Sequence, residues 1–335
     1  MMSEAPRPAA RAIDFHAHIV VPEVFDVTSA YALTLAPARD PSLSEAERQR
    51  TRDGQVSVVG RMSDVRQRLA RMDEMRVARQ VLSPSLVHQS TYMLEREESL
   101  RLERLSNDRL AEMVAAAPDR FLGLGGVPLQ APDLAVTELR RCRRDLGLRG
   151  VAISTFAGGR EIGHPDLHAF WREAVDLGAI VYVHPAGNRD PRFLPYALWN
   201  SVGQCFEETM AIASLIYEGV LERFPSLKIC ISHGGGYMPH NMGRIDRNWL
   251  EKPATRLNMR KPPVDYLRML WFDSCVYDRD VLRNVVAKVG SDRVVLGSDY
   301  PVGDMAPVKT IEEAGLGETV CAAILYENAE QLLAE

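Results

Sequence analysis

Two histidines, His16 and His18, close the apolar run Ala12-Ile13-Asp14-Phe15-His16-Ala17-His18. Side chains alternate across a strand, so residues two apart emerge on one face. Two imidazoles side by side at a strand end can bind one divalent ion and leave positions open for chemistry. Three later runs end in the same way: Ile180-Val181-Tyr182-Val183-His184, Ile229-Cys230-Ile231-Ser232-His233 and Val294-Val295-Leu296-Gly297-Ser298-Asp299. His16, His18, His184 and Asp299 together offer three imidazoles and one carboxylate to a single ion. Nitrogen and oxygen donors without thiolate suit Zn²⁺ best, and also admit Mn²⁺, Fe²⁺ or Co²⁺. An open position on such an ion can activate water or take a substrate oxygen. His233 stands before Gly234-Gly235-Gly236 and is either a further ligand or a general acid/base. The second role is preferred, because four groups already serve one ion.

These residues need a frame that brings strand ends together. Between the first strand and Gly60 lies a segment rich in Pro, Arg, Ser and Asp that is hard to read as regular structure. Asp64 to Met75 then reads as a helix with a possible Ser63 cap. Further strands are expected at Ala78–Ser83, Phe121–Val127, Gly150–Ser154, Ile180–His184, Leu227–Ser232, Leu270–Asp273 and Val294–Gly297. Helical patterns at Leu94–Ala117, Asp133–Leu146, Leu167–Leu177, Glu207–Arg223 and Asp280–Val289 separate most of them. The tail, Val320 to Ala334, is amphipathic and expected to dock on the body. Strands alternating with helices give the fold class α/β, and a (β/α)8 TIM barrel gathers every strand end round one mouth. A doubly wound open sheet would spread them out. The expected organisation is a single barrel domain over 1–335 with a small insertion at about 20–60.

Composition narrows the function classes. Apolar residues make up 46% and charged residues 25% of the chain, as in an ordinary globular protein. A formal charge of -5 makes no electrostatic case for nucleic acid or an anionic membrane. No apolar run approaches the ~20 residues of a membrane helix, and Met1 to Arg11 has no signal-like apolar region. Five scattered cysteines with no Cys-x-x-Cys pair suit reduced thiols and a cytoplasmic setting. Weaker candidates surround the expected mouth. His88 follows the second strand, and Arg189, Arg192, Tyr196 and Trp199 follow the fifth, suggesting contacts to a flat anionic molecule. His240 is a further candidate for substrate contact, whereas His164 and His168 read as capping or exposed groups. There is no phosphate-loop lysine, dinucleotide fingerprint or Gly-x-Ser-x-Gly elbow.

The pattern resembles the amidohydrolase superfamily, and within it the aminocarboxymuconate-semialdehyde decarboxylase branch. The resemblance rests on Asp14-Phe15-His16-Ala17-His18, Asp119-Arg120-Phe121-Leu122-Gly123, Val183-His184-Pro185, Phe224-Pro225-Ser226-Leu227-Lys228, His233-Gly234-Gly235-Gly236, Gly243-Arg244 and Leu296-Gly297-Ser298-Asp299-Tyr300-Pro301. It runs from about Ala12 to Leu333. It implies one Zn²⁺ held by His16, His18, His184 and Asp299, with His233 in acid/base catalysis. Related two-metal barrels carry a bridging lysine on the fourth strand; here Gly150 to Thr155 has none and the lysines begin at Lys228. The branch mostly performs non-oxidative decarboxylation of aromatic or unsaturated acids, with some hydratases and hydrolases, and its members are commonly homodimers. An arginine in the position of Arg244 there grips a substrate carboxylate in the partner's site. A second such arginine, just past an Asp-Gly, is missing after Asp53-Gly54, where Arg52 and Arg61 are nearest. Arg189 or Arg192 would then compensate. The expected activity is Zn²⁺-dependent decarboxylation of a small aromatic or muconate-type acid, with hydrolysis or hydration by the same site as the alternative.

Overall fold

In a computed structural model, which describes residues 11–32 and 43–334, the expected strands form one parallel sheet. They are β1 (Ala12–Ile19), β2 (Val77–Pro84), β3 (Phe121–Gly125), β4 (Gly150–Ile153), β5 (Ile180–Val183), β6 (Lys228–Ile231), β7 (Trp271–Asp273) and β8 (Val294–Val295), and each neighbours the next. The sheet closes on itself. The Phe15 N–H donates to the Leu296 carbonyl at 2.8 Å, and the His18 N–H to the Tyr300 carbonyl at 2.9 Å. This is the (β/α)8 barrel, and it rules out the open sheet.

Alternation decides which side chains fill the barrel. Ile13, Phe15, Val81, Leu124, Ala152, Ile180, Tyr182, Cys230, Trp271 and Val295 pack into an inner cluster. Ala12, Ala17, Ile19, Val181, Val183, Ile229, Ile231 and Phe272 join the layer under the helices. β1 breaks strict alternation. Its pairing with β2 slips between Asp14 and Ala17, so Phe15 and His16 both meet Tyr182, with ring centroids 6.5 and 5.4 Å away. A bulge of this kind re-aims side chains beside functional sites. Asp14 points outward by ordinary alternation between Ile13 and Phe15, and the slip after it turns His16 and His18 into the mouth.

The helices that matter for the site are α1 (Pro22–Thr28), α2 (Glu45–Ser63), α3 (Val65–Glu74), α4 (Arg96–Ala116), α5 (Pro132–Arg144), α6 (His168–Asp176), α7 (Gly203–Tyr217), α8 (Met238–Glu251) and α9 (Arg279–Val289). The expected irregular segment after β1 is therefore corrected: outside residues 33–42, which lie beyond the described residues, it is largely helical. α2 begins on a capping box, with the Glu47 N–H donating to Ser44 Oγ at 3.3 Å and the Ser44 N–H to Glu47 Oε2 at 2.8 Å. The cap of α3 is Asp64, which accepts from the Gln67 N–H at 2.9 Å, and not Ser63. The tail docks as expected. Leu332 joins the inner cluster at the barrel's base, and Asn328 Nδ2 donates to the carbonyls of Ser291 and Val294 at 2.8 and 2.7 Å. No described helix is long and apolar enough to cross a membrane.

Candidate active site

The strand ends bring His16, His18, His184, His233 and Asp299 together. His16 Nε2 and His18 Nε2 lie 3.1 Å apart, and both sit beside Asp299 Oδ1, at 3.2 and 3.1 Å. His16, His184, His233 and Asp299 present ligand-type atoms that all lie within 4.8 Å of one another. Both ring nitrogens of His184 are buried with no hydrogen-bond partner. Buried polar groups normally find partners, so converging imidazoles with idle nitrogens fit a divalent cation at their centre. Burial, reinforced by His18, His16 and His233, holds the His184 pKa well below its ordinary value, keeping the neutral form that a ligand needs. Burial opposes ionisation of Asp299, but His16, His18 and His233 overcome it and push that carboxyl well below its usual range.

Each group is held by neighbours. Asp273, which β7 alternation points inward, lies 2.7 Å from His16 Nδ1 and accepts from the Tyr182 hydroxyl at 2.8 Å and the Cys275 N–H at 3.0 Å. Asp14 accepts from the His16 N–H at 3.1 Å, Gln80 Nε2 at 2.9 Å, the Ser298 N–H at 2.9 Å and Ser298 Oγ at 2.6 Å. That carboxylate clamps β1 to the segment bearing Asp299. Glu208 on α7 sits 2.6 Å from His233 Nδ1, leaving Nε2 facing Asp299 Oδ2 at 3.8 Å. Burial disfavours the His233 cation, but Glu208 and Asp299 raise its pKa well above the ordinary value. His233 and Asp299 are both non-glycine residues in the left-handed region, with φ of 47° and 58°. Strain of that sort persists where the surroundings over-determine it, as at active sites.

Asp273 and Glu208 were not anticipated from the sequence, although both left a signal. Asp273 ends a strand, as the residues expected to be ligands lie at strand ends. Glu208 falls on the buried stripe of α7 with Gln204, Ala211, Ile212 and Leu215. Outer groups that orient a metal-bound imidazole typically matter 10–100-fold for affinity. Asp273→Asn is therefore expected to weaken Mn²⁺ or Zn²⁺ binding by about 10–100-fold, as read by competition with a chromogenic chelator.

The glycines after His233 do what close approach requires. Gly236 has φ of 60°, and a Cβ there would lie 2.2 Å from the Cys205 carbonyl. Gly236→Ala is expected to destabilise the fold by about 1–3 kcal/mol, measured by urea unfolding.

A cavity of about 360 Å³ opens from His18, His184 and Asp299. Phe25, Val58, Val59, Met62, Leu86 and Trp199 form much of its wall, so α2 builds one side of it. Trp199, expected to contact substrate, lies in this wall. The other expected substrate contacts do not meet this cavity. Tyr196 is 93% exposed, and Arg192 pairs with Asp190 in solvent. Arg189 borders a separate cavity and donates to the Tyr31 carbonyl. Arg244 stands exposed on α8. His88 is buried behind the mouth, where Nε2 accepts from the Val21 N–H at 3.1 Å and burial lowers its pKa to about 4. His240 lines a second cavity on the far side of Asp299, beside His233 and Tyr277.

Comparison with known proteins places this geometry. The amidohydrolase family model matches residues 13–334. The chain is 35% identical over 251 residues to 2-amino-3-carboxymuconate-6-semialdehyde decarboxylase of Dictyostelium discoideum, covering 72% of this chain and 69% of that one. It is 31% identical over 290 residues to gamma-resorcylate decarboxylase of Rhodococcus jostii (strain RHA1), covering 78% and 87%. Among solved structures, 5-carboxyvanillate decarboxylase from Sphingomonas paucimobilis superposes with a TM-score of 0.84 at 28% identity, over 97% of this chain and 99% of that one. The chain therefore belongs to the amidohydrolase family, on the branch that holds these decarboxylases.

Proposed function

We propose that the chain is a divalent-metal-dependent, non-oxidative decarboxylase of a small aromatic or muconate-type carboxylic acid, with Zn²⁺ the favoured ion and Mn²⁺ next. The observation that carries this reading is the His233–Glu208 pair set beside the three-imidazole, one-carboxylate cluster, with Asp299 shared between the largely apolar cavity that His18 and His184 line and the second cavity that His233 lines. When bound by His16, His18, His184 and Asp299, the ion supplies Lewis acidity toward the oxygens of the acid. Glu208 fixes the orientation of the His233 ring. His233 delivers a proton to the carbon that bears the carboxylate. The bond from that carbon to the carboxylate then breaks, CO₂ leaves, and the electron pair returns to the conjugated system. Solvent restores the proton on His233. Trp199, Phe25, Val58 and Met62 wall the cavity that opens at His18, His184 and Asp299 and pack the ring there, while His233 reaches the reacting carbon from the second cavity across Asp299. On this reading Arg244 serves a partner's site in a homodimer, since α8 presents it outward.

The relatives named as decarboxylases of gamma-resorcylate and of an aminocarboxymuconate semialdehyde support the reaction class. The test is a panel of aromatic acids, including gamma-resorcylate and 5-carboxyvanillate, given to enzyme loaded with Zn²⁺ or Mn²⁺. One CO₂ released per acid consumed is the expected result. Consumption with every carboxylate retained would replace this reading with hydrolysis or hydration.

A further inference from the structure

Arg68 on α3 is an anomaly in charge placement. It is among the largest fully buried side chains of the described residues, yet no described carboxylate lies within ion-pair distance of it. Taking a cation out of water costs several kcal/mol unless its surroundings compensate. Four contacts do so, and each reaches a different part of the site. Nη2 donates to the carbonyl of His18 and, at 3.1 Å, to that of Met62. Nη1 donates to Gln80 Oε1 at 3.2 Å, and Gln80 in turn donates to Asp14. The guanidinium carbon stacks 4.6 Å from the centroid of the Tyr300 ring, the residue after Asp299.

The four contacts join segments that are far apart in sequence. His18 is in the imidazole cluster. Met62 is in the last turn of α2, where free carbonyls favour a cation, and its side chain lines the apolar cavity. Gln80 holds the Asp14 clamp. Tyr300 fixes the backbone beyond Asp299. An apolar residue of similar volume would fill the space without the desolvation cost, but could not donate to two carbonyls and an amide while stacking its face on a ring.

We propose that Arg68 is a positioning residue whose planar guanidinium sets the ligand geometry of His18 and Asp299 together with the cavity wall built by α2. The proposal rests on the reading of His18 and Asp299 as metal ligands, so metal binding is measured apart from catalysis. Wild type, Arg68→Met and Arg68→Lys are stripped with chelator and titrated with Mn²⁺. Arg68→Met is expected to keep its circular dichroism spectrum while its Mn²⁺ dissociation constant rises about 10–100-fold, with KM for the acid raised as well. A lower melting temperature with wild-type Mn²⁺ affinity would overturn the proposal, because that is what a purely structural residue gives. If Arg68→Met does not fold, Arg68→Lys decides. It keeps the charge and loses the fork, and is expected to bind Mn²⁺ at least about five-fold more weakly; wild-type affinity there overturns the proposal. His18→Ala with undiminished Mn²⁺ affinity would instead remove the ligand reading, and the proposal with it.

Discussion

His233→Asn is expected to lower kcat for CO₂ release by about 10²–10⁴-fold, the usual contribution of a positioned general acid, while the protein still binds one divalent ion per chain. The two readouts separate the roles that the geometry leaves adjacent. His233 belongs with His16, His184 and Asp299 in a group whose ligand-type atoms all lie within 4.8 Å of one another, which alone would make it a fourth ligand. Its Nδ1 contact with Glu208 fits either role, since His16 makes the same kind of contact with Asp273. What favours the acid is that His16, His18, His184 and Asp299 already offer four donors to one ion, with His233 Nε2 at 3.8 Å from Asp299 Oδ2. An acid can be removed and leave the ion in place. A ligand cannot be removed without loosening it. Asparagine keeps a polar amide of lower reach, so the fold and the neighbouring Gly234–Gly236 turn are preserved. Metal content by plasma emission and kcat by CO₂ trapping make the measurement. Loss of metal in step with activity would reassign His233 to the coordination sphere. Glu208→Gln should fall between, since it keeps a hydrogen-bonding group near Nδ1 but removes the charge that supports the cation.

The site was legible in sequence to the extent that it lies on strand ends. His16, His18, His184, His233 and Asp299 each close an apolar run, and a barrel has only one mouth for such ends. The bulge in β1 was not legible. Strict alternation from Ile13 would point His16 under the helices, and only the slip in pairing between Asp14 and Ala17 shows how it reaches the interior. Asp14 read as part of a motif, while its work as a clamp on Ser298 depends on a partner 284 residues away. The substrate contacts were the least legible part. Arg189, Arg192 and Tyr196 lie after β5, as an active-site loop would, but the local short helices turn them to solvent or to a separate cavity. The cavity wall comes instead from α2, a helix with charge on every side and no apolar period to announce it. Its Ser44-Glu45-Ala46-Glu47 capping box was the available signal, and Asp53-Gly54 within the helix pointed the other way toward a turn.

Removal of the ion should be the most damaging single change, and it should act on stability as well as turnover. A ligand that binds only the folded state stabilises it by about 2.7 kcal/mol at 100 times its dissociation constant and about 4.1 kcal/mol at 1,000 times. For a chain of this size that corresponds to a melting temperature lower by about 4–6 °C after chelation, together with complete loss of CO₂ release that Zn²⁺ or Mn²⁺ restores. Asp299→Ala is expected to match the chelated protein in both respects and to gain nothing from added metal. His184→Ala sharpens the argument. Its two buried ring nitrogens have no partner within the protein, so in the stripped state the imidazole contributes a desolvation cost of about 1–3 kcal/mol that offsets its packing. The stripped His184→Ala protein should therefore melt close to stripped wild type, whereas the stabilisation on adding metal should largely vanish. A conserved gain on adding metal would mean that the ion sits away from His184. A large drop in the stripped state would mean that the ring is held for packing. The expected pattern, little change without metal and loss with it, is the signature of a side chain kept in place for the ion.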